Sequence, residues 1–270
     1  MSASGKCWLE TADIRPVTRF APSPTGYLHP GHAYSAILNA HAGARFLLRI
    51  EDIDNTRCKP EYETAIYEDL AWLGLAWERP VRRQSERLAV YEAQLREWHA
   101  RGLVYRCFKT RKDIADSMGA PHAHAHAQAF TGAPDPREDE KLARGLPFSW
   151  RLNMARAIEI TGERAAARHG DVILGRKDVG TSYHLACVMD DADQGVTQII
   201  RGEDLADIAD LHILIFRLLG HTPPEITHHK MILDPKTGKR FAKRDHSITL
   251  HALRKQGWTP ADIRAYVGLD

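Results

Sequence analysis

The chain has 270 residues, 43% of them hydrophobic and 27% charged, with 37 basic residues against 35 acidic ones. This composition fills a core larger than one small domain needs, and it excludes whole-chain disorder and a uniformly basic surface for coating nucleic acid. No apolar run approaches the ~20 residues that span a bilayer and the N-terminus lacks the apolar centre of a signal peptide, so a cytoplasmic protein without membrane contact is expected.

In chain order, residues 1–15 form a polar leader. Residues 17–21 predict a buried strand, Pro22-Ser-Pro-Thr-Gly26 a loop, residues 31–45 a helix of small and apolar side chains, and residues 45–50 a second strand. That unit of about 35 residues has the size of a βαβ crossover. Apolar stripes predict further helices at 61–73 and 85–101, which complete the first half of a core over 16–103. An inserted lobe is expected over 104–170, with a mobile loop at 117–147 that holds His122-Ala-His-Ala-His126. The second half of the core, 171–233, reads as strand-like runs at 172–174, 183–189 and 197–200, a helix ended by Gly220, and a last strand at 226–233. A turn and two short helices occupy 234–270. Strands alternating with helices on both sides of an insertion predict an α/β fold: a Rossmann-like parallel sheet split in sequence, an inserted α+β lobe and a short helical C-terminal segment.

The first βα turn is where such a sheet binds its ligand. It holds His29-Pro-Gly-His32, where a helix should start, so free backbone N–H groups and the positive end of the helix dipole face the same pocket as two imidazoles. Two donors three residues apart can hold triphosphate oxygens, and Gly31 lets a flat base lie against the backbone. Gly26 and Gly31 have the G-x-x-x-x-G spacing of a P-loop, but His32 and Ala33 follow in place of Lys and Ser or Thr, so it is not one. Positive charge must then come from elsewhere. From Lys230 to Lys255 there are eight basic residues against Asp234 and Asp245, centred on Lys239-Arg-Phe-Ala-Lys-Arg244, a loop that could close on pyrophosphate through Arg240 and Lys243.

With these motifs in order, the chain resembles the catalytic core of the class I aminoacyl-tRNA synthetases of the glutamyl type. The resemblance is carried by Arg19-Phe-Ala-Pro-Ser-Pro-Thr-Gly-Tyr-Leu-His-Pro-Gly-His32, Leu48-Arg-Ile-Glu-Asp-Ile-Asp-Asn-Thr-Arg57, Thr181-Ser-Tyr-His-Leu-Ala-Cys-Val-Met-Asp-Asp191, Ile200-Arg-Gly-Glu-Asp-Leu205 and the basic loop at 239–244. It implies a ligase that converts L-glutamate and ATP with magnesium into glutamyl-adenylate, with no tRNA needed for that step, and then transfers glutamate to an RNA hydroxyl. It implies catalytic roles for His29, His32 and Lys243, and ATP contacts from His29, Gly31, His32, Arg240 and Lys243. Arg19, Phe20, Ala21, Pro22, Ser23, Glu51, Tyr183 and Arg201 would line the glutamate pocket. Glu51 would face the amino group and Arg19, Tyr183 and Arg201 the carboxylates; which arginine takes which carboxylate stays open.

Only 27 residues follow Lys243, too few for the helical anticodon-binding domains of a full glutamyl-tRNA synthetase. The resemblance therefore narrows to the short paralogue family, the glutamyl-Q tRNA(Asp) synthetases, which attach glutamate to queuosine in the anticodon loop of tRNA(Asp). A monomer is expected, with a basic rim of Arg240, Arg244 and Lys255 on anticodon-stem phosphates. A truncated synthetase charging a tRNA 3′ end and a non-catalytic RNA-binding relative are the alternatives. Two departures stand out. The family's zinc in the inserted lobe uses a C-x-C pair, a tyrosine and a later cysteine. Here Tyr105 and Cys107 are followed by Lys109, and no cysteine recurs before Cys187, so no such zinc is expected. The four cysteines, Cys7, Cys58, Cys107 and Cys187, are too dispersed for a disulfide framework or a zinc knuckle, and His122, His124 and His126 read as a solvated tract. The second departure is Arg240-Phe-Ala-Lys243 in place of a lysine-rich loop; Lys243 is retained, so activity is expected.

Overall fold

Two apolar and β-branched runs, Val17–Phe20 (β1) and Arg45–Ile50 (β2), pair in parallel, with Val17 opposite Arg45 and Phe20 opposite Leu48. The computed structural model describes residues 16–110, 113, 129–233, 238 and 248–269. The leader, His122, His124 and His126, and the segment with Arg240, Lys243 and Arg244 lie outside them. The crossover between β1 and β2 is helix α1, Pro30–Ala42, with proline in its first turn where a missing N–H does no harm. Its inner face is Ala33, Ala36 and Ile37, all buried, and the small side chains bring the helix close to the sheet. Helix α2, Pro60–Trp72, leads to β3, Arg82–Arg83, which adds to β2 in parallel. A single 3₁₀ turn over Gln84–Arg87 then opens into α3, Leu88–Ala100.

The inserted lobe is antiparallel. Strands Val104–Cys107 (β4), Ser149–Leu152 (β5) and Ile173–Gly175 (β6) form one sheet in that order, with helices Glu138–Ala143 (α4) and Met154–Thr161 (α5) beside it. Two expectations change here. The run at 172–174, read as the resumption of the parallel core, is the third strand of the lobe. The stretch read as an unstructured loop carries α4, whose acidic first turn reaches the sheet through an Arg106–Glu138 ion pair and whose Lys141 pairs with Asp135.

After the lobe come α6, Tyr183–Asp193, strand β7, Gln198–Gly202, helix α7, Ala209–Leu218, and strand β8, Glu225–His229, which pairs in parallel with β7. Residues 183–189 were expected to be a strand, yet they open a helix. Ser182 caps it by accepting from Leu185 N–H at 3.4 Å, and Leu185 through Asp191 are all buried, so the segment has no polar face from which a helical period could be read. Thr197 N–H donates to Val17 C=O at 3.0 Å and Val17 N–H to Thr197 Oγ1 at 2.9 Å. These bonds join the two parallel pieces edge to edge in the order β3-β2-β1-β7-β8, so the sheet is split in sequence but continuous in space. Helices Leu250–Lys255 (α8) and Pro260–Val267 (α9) send Leu250, Leu253 and Ile263 into the same core as α1 and α2. No helix among the described residues is long and apolar enough to cross a membrane.

Candidate active site

The strand order reverses between β1 and β7, and a cleft of about 540 Å³ opens beyond the carboxyl ends of these two strands, where such sheets bind ligands. Its walls include Arg19, Phe20, Ala21, Pro22 and Ser23 from the end of β1, Glu51 after β2, Tyr183 from α6 and Arg201 from β7. His29, Gly31 and His32 line its other side. The described residues expected to bind glutamate or ATP thus line one cavity; Arg240 and Lys243 lie outside the described residues, and Lys255 of the expected basic rim is exposed on α8, away from it.

One side chain sets the angle between the two walls. Asn39, buried on α1, donates through Nδ2 to Ile200 C=O of β7 at 2.9 Å, while Thr18 Oγ1 of β1 donates to Asn39 C=O at 2.7 Å. The start of α1 is fixed relative to both strands. There His29 is the N-cap in extended conformation, and its N–H donates to His32 Nδ1 at 3.1 Å. An accepting Nδ1 makes His32 a neutral ring with its hydrogen on Nε2. The two rings lie 3.6 Å apart between centroids. A Cβ on Gly31 would stand 3.1 Å from the His29 ring, so a side chain there would push that ring aside by a few tenths of an ångström. Backbone N–H groups, a helix dipole and two imidazoles on one rim fit the phosphates of a nucleotide.

The floor is ionic and buried. Arg19 Nε donates to Asp191 Oδ1 at 3.0 Å, and Arg49 Nη1 to the same oxygen at 2.6 Å. Arg49 Nη2 also donates to Glu51 Oε1 at 3.1 Å. Burial alone would raise the Asp191 carboxyl, but the Arg19 and Arg49 guanidiniums outweigh it and hold the group at about 2. At Glu51 the balance reverses: burial raises the carboxyl above its ordinary value, and Arg49 and Arg19 offset only part of that. Asp190 is held by Arg82 and Arg87, with Tyr91 donating to it at 2.7 Å. Arg201 differs from these arginines. It is buried, Nε meets His228 Nε2 at 3.3 Å and Nη1 meets His212 Nδ1 at 3.1 Å. Nη2 has no hydrogen-bond partner, and no carboxylate among the described residues lies within ion-pair distance. At the floor, Arg19 and Arg49 share Asp191 and Arg49 also reaches Glu51 and, at 4.0 Å, Asp190, whereas Arg201 has no carboxylate partner among the described residues.

Arg49, Asp191, His212 and His184 are parts of this site that the sequence reading did not single out. An arginine at the centre of the apolar run Arg45-Phe-Leu-Leu-Arg-Ile50 was the available signal, because a buried guanidinium demands a buried carboxylate. On the outer rim, Asp54 is pulled down to about 2 by bonds from Thr56 and Arg57, and Arg57, Cys58 and Arg176 complete that wall. Among the described residues no group of three or more His, Cys, Asp or Glu side chains is placed to hold a metal ion, and Cys58, Cys107 and Cys187 carry free thiols.

Residues 16–269 match the family described as tRNA synthetases class I (E and Q), catalytic domain. The chain is 44% identical, over 94% of its length, to a glutamyl-Q tRNA(Asp) synthetase of Rhodobacter capsulatus, all of which is covered. A glutamyl-Q tRNA(Asp) synthetase of Nocardia farcinica is 37% identical over 92% of the chain and 82% of its own length. A glutamate–tRNA ligase of Synechococcus is 35% identical over 93% of the chain, which spans 56% of that enzyme. Among solved structures, the glutamate tRNA ligase of Elizabethkingia meningosepticum in complex with its amino acid superposes with a TM-score of 0.68 at 25% identity, over 90% of this chain and 53% of that one.

Proposed function

The chain belongs to the class I tRNA synthetases of the E and Q type and is a ligase; from that premise we propose that it activates L-glutamate with ATP in the absence of tRNA and transfers it to the queuosine base of tRNA(Asp). The observation that carries this reading is Arg201, buried in the cleft with Nη2 unpartnered and no carboxylate of the described residues within ion-pair distance. Glutamate brings two carboxylates and one ammonium, a net charge of −1, to a floor that holds this guanidinium without a counter-ion. Arg201 and Arg19 receive the carboxylates together with the Tyr183 hydroxyl, and Glu51 receives the ammonium. A site of directed donors separates glutamate from its neutral amide far better than an apolar pocket does.

ATP binds across the His29–His32 turn, with magnesium carried on its phosphates. The α-carboxylate of glutamate attacks the α-phosphorus, and the bond to the pyrophosphate oxygen breaks. His29, His32 and the N–H groups of α1 hold the departing oxygens, and Lys243 and Arg240 add charge as it develops there. A hydroxyl of the queuosine cyclopentene diol then attacks the activated carbonyl and AMP leaves. The relatives whose length this chain spans fully or nearly so carry the glutamyl-Q name, which supports queuosine as acceptor. In this reading the protein is a cytoplasmic monomer.

The test has two parts. Glutamate, but not glutamine, should drive exchange of labelled pyrophosphate into ATP without tRNA; no exchange by folded protein overturns the ligase reading in favour of a non-catalytic RNA-binding relative. Labelled glutamate should then pass to tRNA(Asp) only when it carries queuosine, and glutamylation should protect the diol from periodate. Charging of the 3′ end of tRNA(Glu) would replace the acceptor with that of a glutamate–tRNA ligase.

A further inference from the structure

Behind Arg201 lies a pair of imidazoles, His212 buried and His184 half-buried. His212 of α7 meets Arg201 Nη1 with Nδ1 at 3.1 Å, and its Nε2 meets His184 Nδ1 of α6 at 3.2 Å. A guanidinium only donates, so His212 Nδ1 must accept; its hydrogen then sits on Nε2, where it donates to His184 Nδ1. The direction of every bond in the chain follows from the arginine. We infer that His212, backed by His184, is a positioning residue that holds Arg201 by a neutral acceptor in place of a counter-ion, leaving the whole charge of Arg201 to the substrate carboxylate. The inference rests on the glutamate-activating reading above.

The surroundings support it. Burial, with Arg201 adjacent, holds His212 well below the ordinary imidazole range, and burial lowers His184 to about 4. The other groups facing the pair are Tyr183 on α6, whose ring centroid is 5.6 Å from that of His212, His228 on β8 beside Arg201, and His169, whose Nε2 meets Asp210. Asp191 and Arg19 act on His212 from the floor with opposite signs. Tyr183 is half-buried and its phenol is pushed well above its ordinary range, so it adds no negative charge. A carboxylate in place of His212 would neutralise Arg201; a hydrocarbon would release it.

The experiment compares wild type, His212→Leu and His212→Asn in glutamate-dependent pyrophosphate exchange. Leu should raise the glutamate KM tenfold or more with the ATP KM within twofold, and Asn, which keeps an accepting oxygen near the Nδ1 position, should stay within threefold of wild type for both. An unchanged glutamate KM in His212→Leu overturns the inference, as does a parallel rise of both KM values in both variants, which marks a merely structural role. In addition, the ring-nitrogen NMR spectrum of the wild type should show His212 neutral with its hydrogen on Nε2 at pH 7. A charged ring or hydrogen on Nδ1 overturns the inference, including where the wild type shows no exchange and the functional reading itself has failed, or where the Leu variant does not fold.

Discussion

Asp191 is a single carboxylate that braces two arginines, one of them fully buried on β2 and the other at the end of β1. Its removal leaves two guanidiniums in the core with nothing but Glu51 and Asp190 nearby, and unpaired buried charge is far more harmful than a missing surface ion pair. Asp191→Asn should lower the free energy of unfolding at neutral pH by about 3–5 kcal/mol, read from chemical denaturation. Because the folded-state value of the Asp191 carboxyl is depressed to about 2, its contribution is complete above the ordinary carboxylate range near 3.8 and is lost as the pH falls through about 2. The roles of Arg19 and Arg201 could be suggested from motif position, but the difference between them could not. One is paired with a carboxylate 172 residues away and the other with imidazoles from two further elements, and partners at such separations have no local trace.

The contact between α2 and α8 holds the most unusual carboxylate. Asp69 is fully buried, neither oxygen has a hydrogen-bond partner, and the nearest cation, Arg254 of α8, stands at 3.7 Å while donating to Glu68 at 2.7 Å. Burial raises its carboxyl to about 7. With the folded value above the unfolded one, the stability it contributes is complete below about pH 3.8 and lost as the pH rises through about 7. Asp69→Asn, which cannot ionise, should therefore gain roughly 2–4 kcal/mol over the wild type at pH 8 and almost nothing at pH 4; equal gains at both pH values would show that Asp69 is not protonated in the fold. Legibility at this scale followed amphipathicity. β1, α1 and β2 were readable because apolar runs alternate with a Pro and Gly loop, and α1 differs by only a few residues at its ends. Residues 183–189 misled because Leu185 through Asp191 of α6 are buried on every side, and the two acidic residues in that stretch, Asp190 and Asp191, are satisfied by arginines from elsewhere. The cap at Ser182 and the stop at Gln194 and Gly195 were its only local marks.

At the scale of the whole molecule, the lobe is fastened by a carboxylate. Asp171 accepts from Tyr105 Oη at 2.8 Å, Gly132 N–H at 2.7 Å and Met154 N–H at 3.1 Å, and its own C=O accepts from Arg151 at 2.6 Å. Four separate segments of the lobe meet on this one residue. Asp171→Ala strands the buried Tyr105 and Met154 donors, at about 1–3 kcal/mol for each group left unsatisfied, and frees the part-buried Gly132 N–H. Hydrogen exchange should then quicken at the Gly132 and Met154 amides while β1 and β2 keep their protection; uniform quickening would mean that lobe and core open together. The parallel core was legible as a class, but its continuity was not, because the seam depends on Thr197 meeting Val17 across 180 residues. The packing of α9 against α1 has a consequence in time. Ala33, Ala36 and Ile37 leave the ribosome early, yet the apolar cover that Ile263 gives them is synthesised more than 200 residues later. At translation speeds of about 5–20 residues per second, the face of α1 waits some ten seconds or more for its cover, a window in which a chaperone that binds exposed apolar helices would find this nascent chain.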